Sequence, residues 1–201
     1  MKRLAINVLS ILLTLGIGLG VHALRSRDVR GQLPDRETEE YSVYSDLIKS
    51  LYSNDASLLL IANETIPTYL HRDETTEKEF IKSHMPAATT KETFEDYKLV
   101  DSQTRSLANR FAVNRKYLLI SNEEAKSYFE VSQPRITLRE KYPNSTGRIT
   151  MFSRVAFNRS MNEALVYAWG YCGGECGGGG YYLLRKENGV WTVKDKKLWV
   201  S

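Results

Sequence analysis

The chain has 201 residues, of which 42% are hydrophobic and 26% are charged, and its formal net charge is +4. This composition excludes an intrinsically disordered chain, which would contain fewer aromatic residues and a larger charge imbalance. The positive charges are scattered, whereas a nucleic-acid-binding protein requires clustered Lys and Arg. The sequence therefore predicts one globular domain that does not bind nucleic acid.

The N-terminal segment, residues 1–23, has the features of an export signal. A basic start is followed by an apolar run over residues 4–21 and by a small residue, Ala23, where a signal peptidase would cut. The run is at the lower limit for spanning a bilayer and long for a cleaved signal. Two interpretations stay open, a signal peptide cleaved after Ala23 or an uncleaved transmembrane anchor. Both predict an exported protein (periplasmic, cell-envelope or secreted), and the protein touches the membrane, through residues 4–23 alone, only if the segment is not cleaved.

Residues 24–38 are predicted to be a linker, because they contain Pro34 and charges of alternating sign. The remainder, residues 39–201, is predicted to be a single domain. It begins with a helix, whose acidic first turn suits the helix dipole. The apolar face of this helix repeats at helical spacing and comprises Tyr41, Tyr44, Leu47, Ile48 and Leu51.

Further elements follow in the middle of the chain. Residues 58–62 and 117–120 are short apolar runs of strand length. Between them, residues 71–91 are polar and are predicted to be an irregular excursion over the surface. Two capping boxes predict helix starts, Thr89 with Glu92 and Ser121 with Glu124, and the second helix is expected to stop before Pro134.

From Ile149 onward the apolar residues alternate with a period of two, which predicts strands. The predicted strands cover residues 149–157, 164–171, 181–187 and 190–194, with a short addition at 198–200. Asn188-Gly189 favours a type I′ hairpin turn, because both residues tolerate positive φ. The expected fold class is α+β, with N-terminal helices packed on one face of a C-terminal antiparallel β-meander.

The two cysteines, Cys172 and Cys176, lie in one glycine-rich loop that runs to Gly180. In an oxidising compartment, two cysteines in a flexible loop usually form a disulfide. A structural disulfide is the leading interpretation, and a reactive thiol pair or a metal-bound or free pair are the alternatives. A zinc site would need two more ligands, which the sequence does not supply in a recognisable pattern.

The predicted sheet also carries a candidate binding surface, formed by Tyr167, Trp169, Tyr171, Tyr182 and Trp191. Aromatic residues commonly pack in sheet cores. A few helices, however, are not expected to cover both faces of the sheet. An exposed aromatic face would suit an unknown protein, peptide or glycan ligand.

The sequence assigns no catalytic residue, no metal ligand and no cofactor. His71 and His84 lie among carboxylates in a hydrophilic stretch and match no ligand spacing. There is no GxSxG motif, and the glycine-rich loop lacks the lysine and the following helix of a phosphate-binding loop.

Several C-terminal motifs resemble a group of small exported bacterial proteins of uncharacterised function. They are Tyr142-Pro-Asn-Ser-Thr-Gly147, Ser153-Arg-Val-Ala-Phe-Asn158, Ala164-Leu-Val-Tyr167, the two cysteines, Gly180-Tyr-Tyr-Leu-Leu-Arg-Lys186 and Gly189-Val-Trp191. The resemblance implies a bacterial cell-envelope or secreted origin and transfers no catalytic residue. The last hairpin also resembles cystatin- or NTF2-like folds, a likeness that carries no function.

Together these features predict an exported protein that acts as a non-enzymatic binding or structural module through its C-terminal sheet. The alternative is a hydrolase or thiol-dependent enzyme with a site near residues 172–180. Whether the protein is an enzyme is left undecided by the sequence, which leans towards a protein without catalytic activity.

Overall fold

The computed structural model describes residues 35–53, 57–68, 79, 83–130, 133–173 and 176–200. These residues belong to one compact unit. The predicted signal or anchor segment, residues 1–23, lies outside the described residues, as does most of the linker. Within the described ranges, no helix combines the length and the apolar character needed to cross a membrane.

The elements confirm the α+β class. The helices are α1 (Arg36–Leu51), α2 (Lys91–Val100), α3 (Asn122–Ser127), a 3₁₀ turn (Tyr128–Glu130) and α4 (Pro134–Lys141). The strands are β1 (Leu58–Ala62), β2 (Tyr117–Ile120), β3 (Ser145–Phe152), β4 (Ala156–Phe157), β5 (Glu163–Tyr171), β6 (Gly178–Glu187) and β7 (Val190–Val200). The cystatin- or NTF2-like type stays a prediction.

All seven strands join one sheet in the order β2-β1-β3-β5-β6-β7, with β4 paired to β5. The predicted antiparallel meander is present from β5 to β7, and β3 extends it antiparallel to β5. The sheet does not end there, however, because β1 runs parallel to both β2 and β3. Parallel neighbours need a crossover, and the chain between β1 and β2 contains α2.

Helix starts follow capping chemistry with one correction and one addition. Ser121 caps α3 as predicted, its hydroxyl accepting from the Glu124 amide at 3.1 Å. The cap of α2 is Thr90 and not Thr89, and its side chain accepts from the amide of Thr93. The helix that Ser121 opens ends before Pro134, as predicted. Pro134 itself begins α4, a helix that the sequence pattern did not predict, because proline at the first helical position sacrifices no hydrogen bond.

The predicted strand 149–157 is interrupted after Phe152. Between β3 and β4, the Ser153 hydroxyl accepts a hydrogen bond from the Tyr167 amide at 2.9 Å. This bond takes the place of a backbone hydrogen bond between the strands, so the amide of β5 keeps a partner. Because the strand is interrupted here, the Arg154 side chain extends to α1, where its guanidinium donates a hydrogen bond to the Glu40 carboxylate. A two-residue strand, β4, then resumes pairing with β5.

The Asn188-Gly189 turn is confirmed, with φ of 51° and 84° at its two central residues. The strand after it is one continuous element, β7, and not the two separate pieces that the sequence predicted. A register shift at Leu183/Leu184 lets β7 continue, because Leu183 pairs with Asp195 while Leu184 pairs with Val193. Lys194 is thereby the extra residue of a β-bulge.

The helices cover both faces of the sheet, which corrects the prediction that they cover only one. Helix α1 packs its apolar face on one side, against side chains of β1, β3, β5 and β6 that include Ile61, Phe152, Val166 and Tyr182. On the other side, α2 packs over β5 and β6, while α3, the 3₁₀ turn and α4 pack over β1 and β3. The described residues therefore form three layers, with one helix on one face of the sheet and several short ones on the other.

Two buried carboxylates attach α1 to its surroundings. Glu40, only 1% exposed, is paired with Arg154, whose Nη2 lies 2.7 Å from its Oε1, and more distantly with Arg36 and Arg105. Glu39 accepts from the Lys186 ammonium at 2.7 Å and from the Trp191 indole N–H at 3.0 Å. Buried charges are tolerated only when they are paired and hydrogen-bonded, and both carboxylates meet that condition.

Candidate functional site

Three of the five predicted surface aromatics are buried. Tyr167 is 8% exposed, Tyr182 7% and Trp191 2%. The expectation of an exposed aromatic face is wrong for these positions, because α1 covers the face that holds Tyr182 and Trp191, and the α2 side covers Tyr167. Their place in the core leaves them no free ring surface for a ligand.

Tyr167 belongs to an aromatic stack on the α2 side of the sheet. Its ring lies 5.4 Å from that of Trp199 in a stacked arrangement and 5.2 Å from that of Tyr181. The His84 ring meets Trp199 edge-on, with centroids 5.6 Å apart. His84 is thus partly buried at the edge of the core, and the prediction that it lies on a solvated surface is wrong. His71 lies outside the described residues.

Trp169 and Tyr171 are only partly buried and form the exposed part of the predicted surface. Phe129, from the 3₁₀ turn, joins them and is itself 42% exposed. The Phe129 ring centroid lies 4.4 Å from that of Tyr171 and 6.2 Å from that of Trp169, and the latter two are 5.6 Å apart. We call Phe129, Trp169 and Tyr171 the aromatic patch.

The aromatic patch lies where two groups of helices meet over the sheet. Trp169 and Ile66 each pack against the cluster under α2 and also against the cluster under α3 and α4. Neither helix group alone covers the C-terminal end of β5, where Trp169 and Tyr171 lie. The seam between them therefore leaves large rings partly open to solvent.

The backbone around the aromatic patch is held by hydrogen bonds. The Tyr171 hydroxyl donates to the carbonyl of Tyr128 at 3.3 Å, which links the end of β5 to the 3₁₀ turn that carries Phe129. Beneath the turn, Glu124 accepts from the hydroxyl of Tyr142 and from the Lys141 ammonium. Burial, and then the bond to Glu124, raise the pKa of Tyr142 to about 12.

The two cysteines lie directly beyond Tyr171. Cys172 and Cys176 are at disulfide distance, with Cα atoms 5.5 Å apart. The Arg148 guanidinium donates to the carbonyl of Cys176 at 3.3 Å. On the other side, Gly173 has φ of 119° and faces the ring of Pro134, so that a side chain there would be strained and crowded. The loop is thus wedged between β3 and the start of α4.

A buried polar cluster at the end of α2 was not found from the sequence. Asp101 accepts from the Thr68 amide at 3.0 and 2.9 Å, from the Thr68 hydroxyl at 2.8 Å and from the Tyr97 hydroxyl at 2.8 Å. The Tyr181 hydroxyl completes the cluster, 3.0 Å from both Thr68 Oγ1 and the Tyr97 hydroxyl. The only signal in the sequence was an acid directly after Val100, the last apolar residue of a helical pattern.

None of the donors to Asp101 is charged, and the carboxylate is fully buried. Burial raises the pKa of Asp101 above its ordinary value, against the opposing effect of the bonds from Thr68 and Tyr97. Burial likewise raises the pKa of Tyr97 and Tyr181. A carboxyl group so enclosed cannot reach a ligand at the surface, and its contacts fasten the chain at Thr68 to the end of α2.

An open groove of about 590 Å³ runs between α2 and the turn from β4 to β5. The Arg36 guanidinium at its centre donates to both oxygens of Asp96, at 3.1 and 2.6 Å, and lies 5.4 Å from the Phe157 ring. These central charges are satisfied within the protein. In the described part of the chain, no group of three or more His, Cys, Asp or Glu side chains is arranged as a metal site.

Comparison with known proteins gives no match, either to a protein-family model, to a curated protein or to a solved structure.

Proposed function

We propose that the protein is an exported, non-enzymatic binding module that holds a partner protein on its aromatic patch. The observation that carries this proposal is the contact of three large rings, Phe129, Trp169 and Tyr171, all of which are partly open to solvent. Phe129 packs one side of its ring against Tyr171 and Trp169 and is 42% exposed, so the remainder of the ring faces solvent. Aromatic side chains of this kind dominate the binding energy of protein interfaces.

The surroundings of the aromatic patch support a binding role. Its two strand residues belong to β5, whose hydrogen bonds to β3 and β6 keep them in place. The hydrogen bond from the Tyr171 hydroxyl to the carbonyl of Tyr128 restricts the turn that carries the third ring, Phe129. A surface that is rigid before binding loses little conformational entropy when the partner arrives.

Export is supported by the N-terminal sequence and by the cysteines. A basic start with an apolar run is the pattern of a secretory signal or anchor. Cysteines at disulfide distance suit an oxidising compartment, where such pairs persist.

Site-specific photo-crosslinking in the native host tests the proposal. Benzoylphenylalanine replaces Phe129 in one version of the full chain and Leu198 in a control version. Leu198 is 49% exposed and lies on β7, two strands from β5 in the sheet. We expect a discrete adduct from position 129, none from position 198, and loss of the adduct when Trp169→Ala is added. Equal adducts from both positions, or none from position 129, would refute the proposal.

A further inference from the structure

Helix α4 presents basic side chains next to the aromatic patch. Pro134, its first residue, faces Gly173, which is two residues beyond Tyr171. The next residue, Arg135, is exposed, and so is Arg139 one turn later. Both arginines lie against Gly147 at the start of β3, because a side chain at Gly147 would meet Arg135 Cγ at 2.9 Å and Arg139 Nε at 2.9 Å.

These two arginines have no acidic partner among the described residues. Lys141 on the same helix, in contrast, is paired and lies 2.8 Å from Glu124. Exposed lysines without a salt bridge to a described residue also occur elsewhere, for example Lys196 and Lys197 on β7, but Arg135 and Arg139 are the ones on α4, beside the aromatic patch. Glu140, the one acid of α4, is exposed and forms no salt bridge with a described residue. Helix α4 therefore has an excess of positive charge on its outer side.

An exposed apolar residue completes this side of the helix. Ile136 is 52% exposed and lies three residues before Arg139, which places the two side chains next to each other on the helix surface. Arg135 and Arg139 are four apart and are neighbours by the same rule. The outer face of α4 thus joins two free guanidinium groups to an apolar side chain, beside a patch of three aromatic rings.

We infer that the partner reaches this surface through an acidic segment with apolar side chains, whose carboxylates pair with Arg135 and Arg139. The inference rests on the proposed function, since it names the chemistry of the partner held on the aromatic patch. Guanidinium groups bind carboxylates through two parallel hydrogen bonds. Arg and aromatic residues are together the types most enriched in protein–protein interfaces, which favours a polypeptide partner over a membrane or a glycan.

The test uses defined peptides and the full-length protein. A short fluorescein-labelled peptide in which Glu alternates with Phe is compared with two peptides of the same design that contain Gln or Lys in place of Glu. Binding is followed by fluorescence anisotropy at low and at physiological salt. We expect the Glu peptide to bind roughly tenfold more tightly than the Gln peptide, with the preference shrinking as salt screens the charges.

Paired variants identify the cations responsible. The double variant Arg135→Gln/Arg139→Gln should weaken binding of the Glu peptide by about tenfold or more and abolish its advantage over the Gln peptide. The matched control, Lys196→Gln/Lys197→Gln, removes the same charge from exposed positions on β7 and should leave both affinities unchanged. Circular dichroism confirms that each variant keeps the fold.

Each other outcome has a defined meaning. Equal binding of the Glu and Gln peptides, lost in Trp169→Ala, would overturn the acidic preference and leave the aromatic patch as a binding surface. Peptide binding that Trp169→Ala does not change would count against the proposed function itself. Failure of the Glu peptide to bind would overturn the inference alone, because the crosslinking result is independent of it. If polygalacturonate or phosphatidylglycerol vesicles displace the Glu peptide, and if this displacement depends on the two arginines, the inference of a polypeptide partner would be overturned. The partner would then be an acidic glycan or a membrane.

Discussion

The two faces of the sheet are covered in different ways. One helix of 16 residues, α1, covers one face and places Tyr44, Leu47 and Ile48 fully in the core. Its buried carboxylates also have partners there, because Glu39 accepts a hydrogen bond from Trp191 on β7 and Glu40 accepts one from Arg154 between β3 and β4. Of the sheet aromatics on this face, Phe152, Phe157, Tyr182 and Trp191 are buried, while Tyr117 on the edge strand β2 is partly buried.

Among the helices with described bounds, four short pieces cover the opposite face, and their junction leaves the aromatic patch partly exposed. A single long helix can match the sheet with a continuous apolar stripe, whereas short helices must meet at ends, where backbone and side chains are less completely packed. The comparison teaches that the α1 face serves stability, while the opposite face combines stability with an accessible surface.

The largest expected effect comes from exchanging the tryptophan of each face for alanine. Trp191→Ala should lower the free energy of unfolding by about 4 kcal/mol, because it opens a cavity and removes the indole donor of the buried Glu39. Trp169→Ala should cost only about 2 kcal/mol, because this ring is already partly in solvent. Urea denaturation of both variants measures the difference.

The same pair separates stability from binding. Trp169→Ala should remove the photo-crosslink from position 129 at temperatures where the variant is still folded, whereas Trp191→Ala should retain it. Equal losses of stability in the two variants would contradict the distinction between the faces.

The second prediction concerns the charge that attaches α1. Glu40→Gln should lower the free energy of unfolding by about 3 kcal/mol, since Arg154 would keep a poorly solvated charge without its carboxylate. Glu37→Gln, on the same helix, should cost about 1 kcal/mol or less, because the Glu37 carboxylate is partly in solvent. Denaturation at low and high salt checks both values, and only the Glu37 effect should shrink with salt.

The third prediction concerns the cysteine loop on the opposite face. A bond between Cys172 and Cys176 closes a very short loop, which limits its contribution to about 2 kcal/mol. The double variant Cys172→Ser/Cys176→Ser should lose about that amount. Intact mass of the native protein, alkylated without reductant, should reveal two missing hydrogens, no alkyl groups and a chain that begins at Leu24. Two alkylated thiols would contradict the bond, and a full-length chain would indicate an uncleaved anchor.

Local patterns predicted much of this fold. The spacing of Tyr41, Tyr44 and Leu47 marked α1, and Asn188-Gly189 marked the last hairpin, because both signals depend on neighbours in sequence. The class of fold followed from the order of helices and strands. The capping residue of α3 was found for the same reason.

Non-local choices were not predictable from one sequence. Nothing local to β1 or β2 states that they pair in parallel, since the partner is set by the path of the chain between them. The burial of Tyr182 and Trp191 depends on α1 reaching the far side of the sheet. Phe129 was missed as a site residue because its exposure depends on where the 3₁₀ turn meets β5.

The smallest predicted effect belongs to Asp101, which fastens Thr68 to the end of α2. The unfolded chain should titrate this carboxyl group near its ordinary pKa of 3.8, whereas burial raises the pKa in the folded state. Between these two values the folded protein binds more protons than the unfolded chain, so the contribution of Asp101 to stability falls as the pH rises. Above the folded-state pKa, the full cost of the buried charge is present.

Asp101→Asn removes this titration but keeps the size of the side chain. Because the amide cannot accept every hydrogen bond from Thr68 and Tyr97, the variant carries a penalty that does not depend on pH. The free energy of unfolding of the variant, relative to that of the natural protein, should therefore increase as the pH rises from about 4 towards neutrality. Urea denaturation at several pH values measures this difference, with Asp195→Asn on β7 as the control. If this difference stays constant with pH, the hydrogen bonds to Asp101 fully offset the energetic cost of burying its charge. Buried carboxylates would then be equally well stabilised on the face that carries the aromatic patch and on the α1 face.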